Sequence, residues 1–237
     1  MADALLVEGV SKVFGGRKAL DNVSFSLPQG AFLSIFGPNG AGKTTLLKVL
    51  STLSRPTGGM VTIGGFNAKE DPDAVRGIIG LISHNSMLYP DLTAMENLMF
   101  IARLYGIPDP EGRVRSLLKQ VELDHRRFDM VRTFSRGMTQ RLSIARALIN
   151  DPDIVFLDEP YAGLDPHAVE IFDGLIGSIR DGRTFVMVSH DLAKGFEDCT
   201  HALVLARGRV VSFGPKDELD YGQFQELYRK TVGMGVA

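Results

Sequence analysis

This sequence is poor in everything that would mark a secreted, membrane-spanning or nucleic-acid-binding chain. Its 237 residues include one cysteine, Cys199, so no disulfide can close within the chain. A lone Cys199 reads as a small, half-buried apolar residue rather than a nucleophile. No run of about 18 apolar residues occurs, and the longest, at 154–157 and 184–188, are strand-sized. The chain is therefore not expected to cross a bilayer itself. The opening MADALLVEGVSKVF lacks the basic start and long apolar stretch of a signal peptide. Net charge is −2 and no block of like charge stands out, which argues against a nucleic-acid partner. Internal repeats and low-complexity tracts are also missing. What remains is a globular composition, 44% hydrophobic and 23% charged, which sustains a core and argues against disorder. The length suits one domain, 1–237, with room for a compact insert.

Along the chain, residues 5–10 and 23–27 read as strands rich in Val, Leu and Phe, with Gly15-Gly16-Arg17-Lys18 as the turn between them. Residues 31–36 are a buried strand running into a glycine-rich segment. Helical spacing of Leu46, Leu47, Leu50 and Leu53 follows over 44–53, until Arg55-Pro56-Thr57-Gly58-Gly59 ends it. Residues 60–63 and 78–82 are further strands. From Thr93 to about Arg132 the period turns helical. Leu98, Ile101, Ala102 and Tyr105 share one face, and Val114, Leu117, Leu118 and Val121 another. A third helix is expected over 138–149. Short apolar runs at 154–157, 184–188 and 202–205 then alternate with helical segments, the pattern of a parallel sheet covered on both faces. Arg207-Gly208-Arg209 is a tight turn, and one amphipathic helix closes the chain after Pro215. The expected architecture is α/β: a core with a mostly parallel sheet, an N-terminal antiparallel β subdomain, and an α-helical subdomain inserted over about 86–150.

Two segments carry chemistry. Gly37-Pro38-Asn39-Gly40-Ala41-Gly42-Lys43-Thr44 has the form G-x-x-x-x-G-K-[ST], with a strand before it and a helix after it. The glycines let backbone N–H groups turn inward around an anion, and the helix N-terminus adds its dipole. Lys43 can reach the β- and γ-phosphates, the Thr44 hydroxyl can ligate Mg²⁺, and Thr45 completes the nucleotide-binding run. The second is the apolar strand 154–157 ending in Asp158-Glu159-Pro160. Alone, such an acidic pair is usually a helix cap or a solvated turn. After a phosphate loop in the same sheet it reads as a magnesium ligand, Asp158, followed by a general base for water, Glu159.

These two segments make the expected α/β core that of a P-loop NTPase, and a third segment points to a family. Phe134-Ser135-Arg136-Gly137-Met138-Thr139-Gln140-Arg141 resembles the ABC (ATP-binding cassette) signature LSGGQxQR. Ser135, Gly137, Gln140 and Arg141 match, while Phe134, Arg136 and Met138 depart. The resemblance spans roughly residues 5–215 and implies ATP as substrate with Mg²⁺. It implies that Ser135 and Gly137 bind the γ-phosphate held by a second copy, which a serine N-cap and a helix N-terminus can do. It also implies that Asp165, in Tyr161-Ala162-Gly163-Leu164-Asp165, contacts the opposing subunit. His190 is implied to bond the γ-phosphate, and Phe14 to stack on adenine, although an isolated Phe between strands is ordinarily core. His84 stands where relatives carry a glutamine that gives oxygen to Mg²⁺ and touches the catalytic water. Imidazole offers no oxygen, so His84 acts through water, leaves the contact empty, or yields the place to Asn85.

The stretch ISHNSMLYPDLTAMENLMFIARLYG is similar to the haem-exporter ATPase of cytochrome c maturation, and the SRGM signature also occurs in ABC-2 type exporters. The resemblance thus implies a homodimer or heterodimer of ATPase subunits, peripheral on the cytoplasmic face of the cell membrane. A separate transmembrane permease is expected to dock from Ser83 to Gly106, where Met87, Leu88 and Tyr89 are expected to be exposed. Export is the expectation, with either haem or the cargo of another exporter of this kind. A soluble assembly ATPase is the alternative, and a non-hydrolysing module conflicts with Glu159 and His190.

Overall fold

The computed structural model describes residues 3–83, 85–162 and 165–233. Strands β1 (Asp3–Phe14) and β2 (Arg17–Pro28) form the opening hairpin. Gly15 and Gly16 both have positive φ, so two residues suffice for the turn. Arg17 and Lys18, predicted to lie in that turn, therefore begin β2. Next come β3 (Phe32–Phe36), α1 (Lys43–Leu50), β4 (Gly58–Ile63), β5 (Phe66–Asn67), α2 (Pro72–Ile78) and β6 (Ile79–Ile82). Three helices follow: α3 (Ala94–Leu104), α4 (Pro110–Gln120) and α5 (Arg136–Ala147). The chain then alternates through β7 (Ile154–Asp158), α6 (Pro166–Ile179), β8 (Thr184–Val188) and α7 (Leu192–Asp198). It ends with β9 (His201–Ala206), β10 (Arg209–Pro215) and α8 (Tyr221–Gly233).

The strands make two sheets. One is antiparallel in the order β2-β1-β4-β5, and the other is six-stranded in the order β10-β9-β3-β8-β7-β6. In the larger sheet β10 runs antiparallel to β9, and the remaining pairs are parallel. Its central strands are apolar on both sides because both sides are covered. Leu33, Ile35, Ile154, Phe156, Val186 and Val188 pack toward the antiparallel sheet and α1. Phe32, Phe36, Val155, Leu157, Phe185 and Met187 pack toward the helices. Within β3, Ser34 is polar yet fully buried, and it donates its hydroxyl to the Gly195 carbonyl in α7 at 2.7 Å. The fold is α/β with a P-loop NTPase core, an N-terminal antiparallel sheet and an α-helical insertion.

The inserted helices sit between β6 and β7. Leu98 and Ala102 of α3, Val114, Leu117 and Leu118 of α4, and Leu142 and Ala145 of α5 share one buried cluster. The face expected for α3 is narrower than predicted: Ile101 is half-buried, and Tyr105, the residue capping the helix, is exposed. Helix α1 also ends earlier than its leucine spacing suggested. Thr52 adopts a φ of 59° just past the cap, which turns the chain and leaves Leu53 exposed. Helix α2 was not anticipated, because Val75 is the only residue it buries. No helix among the described residues is long and apolar enough to cross a membrane.

Candidate functional site

Parallel pairing sets β8 between β3 and β7, so their carboxyl ends lie side by side. The segments that leave those ends converge, as expected at the carboxyl edge of an open α/β sheet. They are the glycine-rich loop after β3, Glu159 after β7, and His190 after β8.

The loop is shaped by close backbone contacts. A Cβ at Gly37 would lie 2.1 Å from the Leu205 carbonyl oxygen, and one at Gly42, whose φ is 107°, would lie 2.5 Å from that of Ala19. Both positions therefore exclude any side chain. The Gly208 amide donates to the Ala41 carbonyl at 2.9 Å, so the β9–β10 turn holds the loop from outside. Lys43 is only 5% exposed. Its Nζ donates to the carbonyls of Gly37 at 2.7 Å and Pro38 at 3.1 Å. Burial holds this ammonium below the ordinary lysine pKa, and the carboxylates of Glu159 and Asp158 pull it back up.

Lys43, Thr44, Thr45, Asn39 and Gly40 line an open cleft of about 520 Å³, and Glu159 and His190 stand at the same cleft. Glu159 Oε1 lies 2.7 Å from His190 Nε2. The Glu159 backbone is left-handed, with φ 53°, and its amide donates to the Val188 carbonyl at 3.1 Å. That bond ties the acidic turn to the strand leading to His190. Asp158, the last residue of β7, is buried, and its carboxylate acts on Lys43. The cleft thus places a cation and a carboxylate–imidazole pair at the glycine-rich loop, with the buried Asp158 carboxylate acting on the same cation. Such a set can hold a polyphosphate and accept a proton from water beside it.

Three cations at the cleft were missed in the sequence: Arg17, Lys18 and Arg207. Lys18 is engaged with Asp21 at 2.8 Å, and Arg209 closes on the same carboxylate at 2.6 Å. Lys18 and then Arg209 hold the Asp21 carboxyl below its usual range. Among the described residues Arg17 has no ion-pair partner. No local pattern marks these residues, since the loop and the two turns meet only through tertiary packing.

The remaining predicted residues lie elsewhere on the surface. Ser135 caps α5, its Oγ accepting from the Met138 amide at 3.2 Å. Asp165 caps α6 through the Ala168 amide at 2.8 Å, and its other oxygen would be 3.3 Å from a Cβ on Gly137. Ser135, Gly137 and Asp165 therefore form one polar spot, separate from the lining of the Lys43 cleft. Phe14 ends β1 with 53% of its surface exposed and the Lys12 ammonium 4.9 Å from its ring centroid, so it is not a core residue. Within the expected docking segment, Tyr89 is 52% exposed and Met87 is exposed, but Leu88 packs against the helical core. The predicted apolar loop is thus two exposed residues around an anchor. His84 lies outside the described residues.

Comparison with known proteins agrees with this geometry. Residues 20–162 match the family described as ABC transporter. The daunorubicin resistance ATP-binding protein of Streptomyces coeruleorubidus is 37% identical over 92% of this chain and 71% of its own length. The ATP-binding protein NatA of Bacillus subtilis is 36% identical over 85% of this chain and 84% of its own length. The structure of an ABC transporter's ATP-binding subunit superposes with a TM-score of 0.87 at 29% identity, covering 96% of this chain and 99% of that one. A dimeric ATP-binding cassette in a post-hydrolysis state with ADP and Pi gives 0.80 at 30% identity, over 90% and 98% of the two chains.

Proposed function

This chain belongs to the ABC transporter family and is an ATPase, and we propose that it powers an exporter whose membrane-spanning subunit is a different chain. The observation that supports the mechanism is the Glu159–His190 contact of 2.7 Å at the cleft of Lys43. ATP lies with its phosphates against the amides of the loop 37–42 and the Lys43 ammonium. Glu159 accepts a proton from the attacking water, while Lys43 and His190 stabilise charge on the departing phosphoryl group. Thr44 and Asp158 supply oxygen donors of the kind Mg²⁺ takes, and Asp158 is buried beside Lys43. Bound there, Mg²⁺ would neutralise phosphate charge. Phe14 offers an exposed ring for adenine.

Ser135, Gly137 and Asp165, set apart from the cleft, serve a second copy. Two chains pair head to tail, each presenting its Ser135 helix to the ATP held by the other. The helical subdomain over about 86–150 meets the membrane partner on the cytoplasmic face through the stretch from Ser83 to Gly106. Relatives named for daunorubicin resistance and Nod factor export favour outward transport. None of the relatives described here is named for haem, and the haem cargo expected from residues 82–106 is without support among them.

Photo-crosslinking from Tyr89 in native membranes tests this reading against the assembly-ATPase alternative. Capture of a membrane-spanning protein is the expected result. Capture of soluble proteins alone would overturn the exporter reading.

A further inference from the structure

Behind the Glu159–His190 pair lies a polar network that the phosphate chemistry does not use. The Tyr161 hydroxyl donates to Asp173 Oδ1 of α6 at 2.7 Å and reaches Asp198 Oδ2 of α7 at 3.4 Å. Lys194 of α7 donates to Asp173 Oδ2 at 3.3 Å, pairs with Asp198 at 3.5 Å, and stands 5.5 Å over the Tyr161 ring. Phe172 packs edge-on against that ring at 5.2 Å. Burial and the two aspartates hold the phenol well above the ordinary tyrosine pKa, so it remains a donor.

Both ends of this network reach the hydrolytic pair. Tyr161 sits in the turn that the Ala162 amide closes onto the Glu159 carbonyl at 3.0 Å. Glu159 holds a left-handed φ there, a conformation that persists in a non-glycine residue only where the surroundings enforce it. Lys194 belongs to the first turn of α7, and its amide donates to Asp191 Oδ1 at 3.0 Å. The Asp191 amide in turn donates to Ser189 Oγ at 3.1 Å, so this capping turn encloses His190. The contacts thus close a circuit, from Glu159 to His190 at the cleft and back through α7, Lys194, Asp173 and Tyr161.

We propose that Tyr161 and Lys194 are positioning residues for hydrolysis, holding the turn of Glu159 and the turn of His190 in register through Asp173 and Asp198. The proposal rests on the reading of Glu159 and His190 as the hydrolytic pair. Each exposed ion pair alone contributes little, but a hydroxyl donated to a carboxylate is a stronger, geometry-fixing bond. Small displacements of a catalytic group are costly in rate.

Tyr161→Phe removes only the hydroxyl. In the purified full chain its kcat should fall about threefold to tenfold with the ATP KM unchanged. With ¹⁵N-labelled histidine, the His190 resonance, assigned by its loss in His190→Ala, should shift while those of His125 and His201 stay in place. Lys194→Met should reproduce both effects, and carries the test if Tyr161→Phe unfolds. A kcat within about 1.5-fold of wild type, or a lower kcat with an unmoved His190 resonance, would overturn the proposal. Glu159→Gln is the control. If it turns over at the wild-type rate, the hydrolytic pair itself is wrong and the network proposal falls with it. If it is inactive while Tyr161→Phe is fully active, the network alone is wrong.

Discussion

Lys43 is a buried ammonium whose hydrogen-bond partners are two carbonyls of its own loop. Those carbonyls shape the loop around the cation, and the cation's charge is available to phosphate. Charge-assisted hydrogen bonds contribute about 1.5–3 kcal/mol, so Lys43→Ala should weaken ATP binding about tenfold to hundredfold. Equilibrium binding of ATP measures this; unchanged affinity together with an unchanged rate would remove the phosphate loop from the mechanism. Glutamine offers an oxygen that imidazole does not, so His84→Gln should hydrolyse ATP at or above the wild-type rate. Steady-state ATPase assays of the isolated chain decide it. A tenfold fall, equivalent to about 1.4 kcal/mol of barrier, would give His84 a dedicated role.

Helix α3 shows how much of an element local sequence can specify. Thr93 Oγ1 accepts from the Glu96 amide at 3.1 Å, and Glu96 Oε2 accepts from the Thr93 amide at 2.8 Å, a reciprocal capping box. Thr93→Ala should cost about 1 kcal/mol and lower the Tm by about 2–4 °C, with ATP affinity unchanged. A calorimetric scan with no shift would mean that tertiary packing alone holds this end. The strands β3, β7 and β8 were legible because burial on both faces demands continuous apolar runs. The phosphate loop was legible because its glycines and lysine sit in one contiguous segment. Helix α2 was hidden, since one buried valine gives no period. The end of α1 was misread, because Leu53 keeps the spacing while Thr52 turns the backbone. Arg17, Arg207 and the Tyr161 network were illegible for a different reason: each depends on segments brought together only by sheet order.

At the scale of the molecule, the parallel sheet gathers one half of the proposed hydrolytic site. Its carboxyl edge carries the loop, Asp158, Glu159 and His190, while Ser135, Gly137 and Asp165 occupy a separate polar spot. The proposed head-to-tail pair joins the two halves across an interface, so that ATP is the adhesive and hydrolysis the release. That arrangement separates binding from turnover. Removing the base while leaving Lys43 and the loop amides in place should keep ATP bound and trap the closed pair. Size-exclusion chromatography of Glu159→Gln at saturating ATP, run beside a steady-state ATPase assay, tests this most directly. The expected result is a dimer that accumulates only with ATP and does not turn over. A mutant that stays monomeric, or that hydrolyses ATP at the wild-type rate, would contradict the roles given to Glu159 and to the second copy.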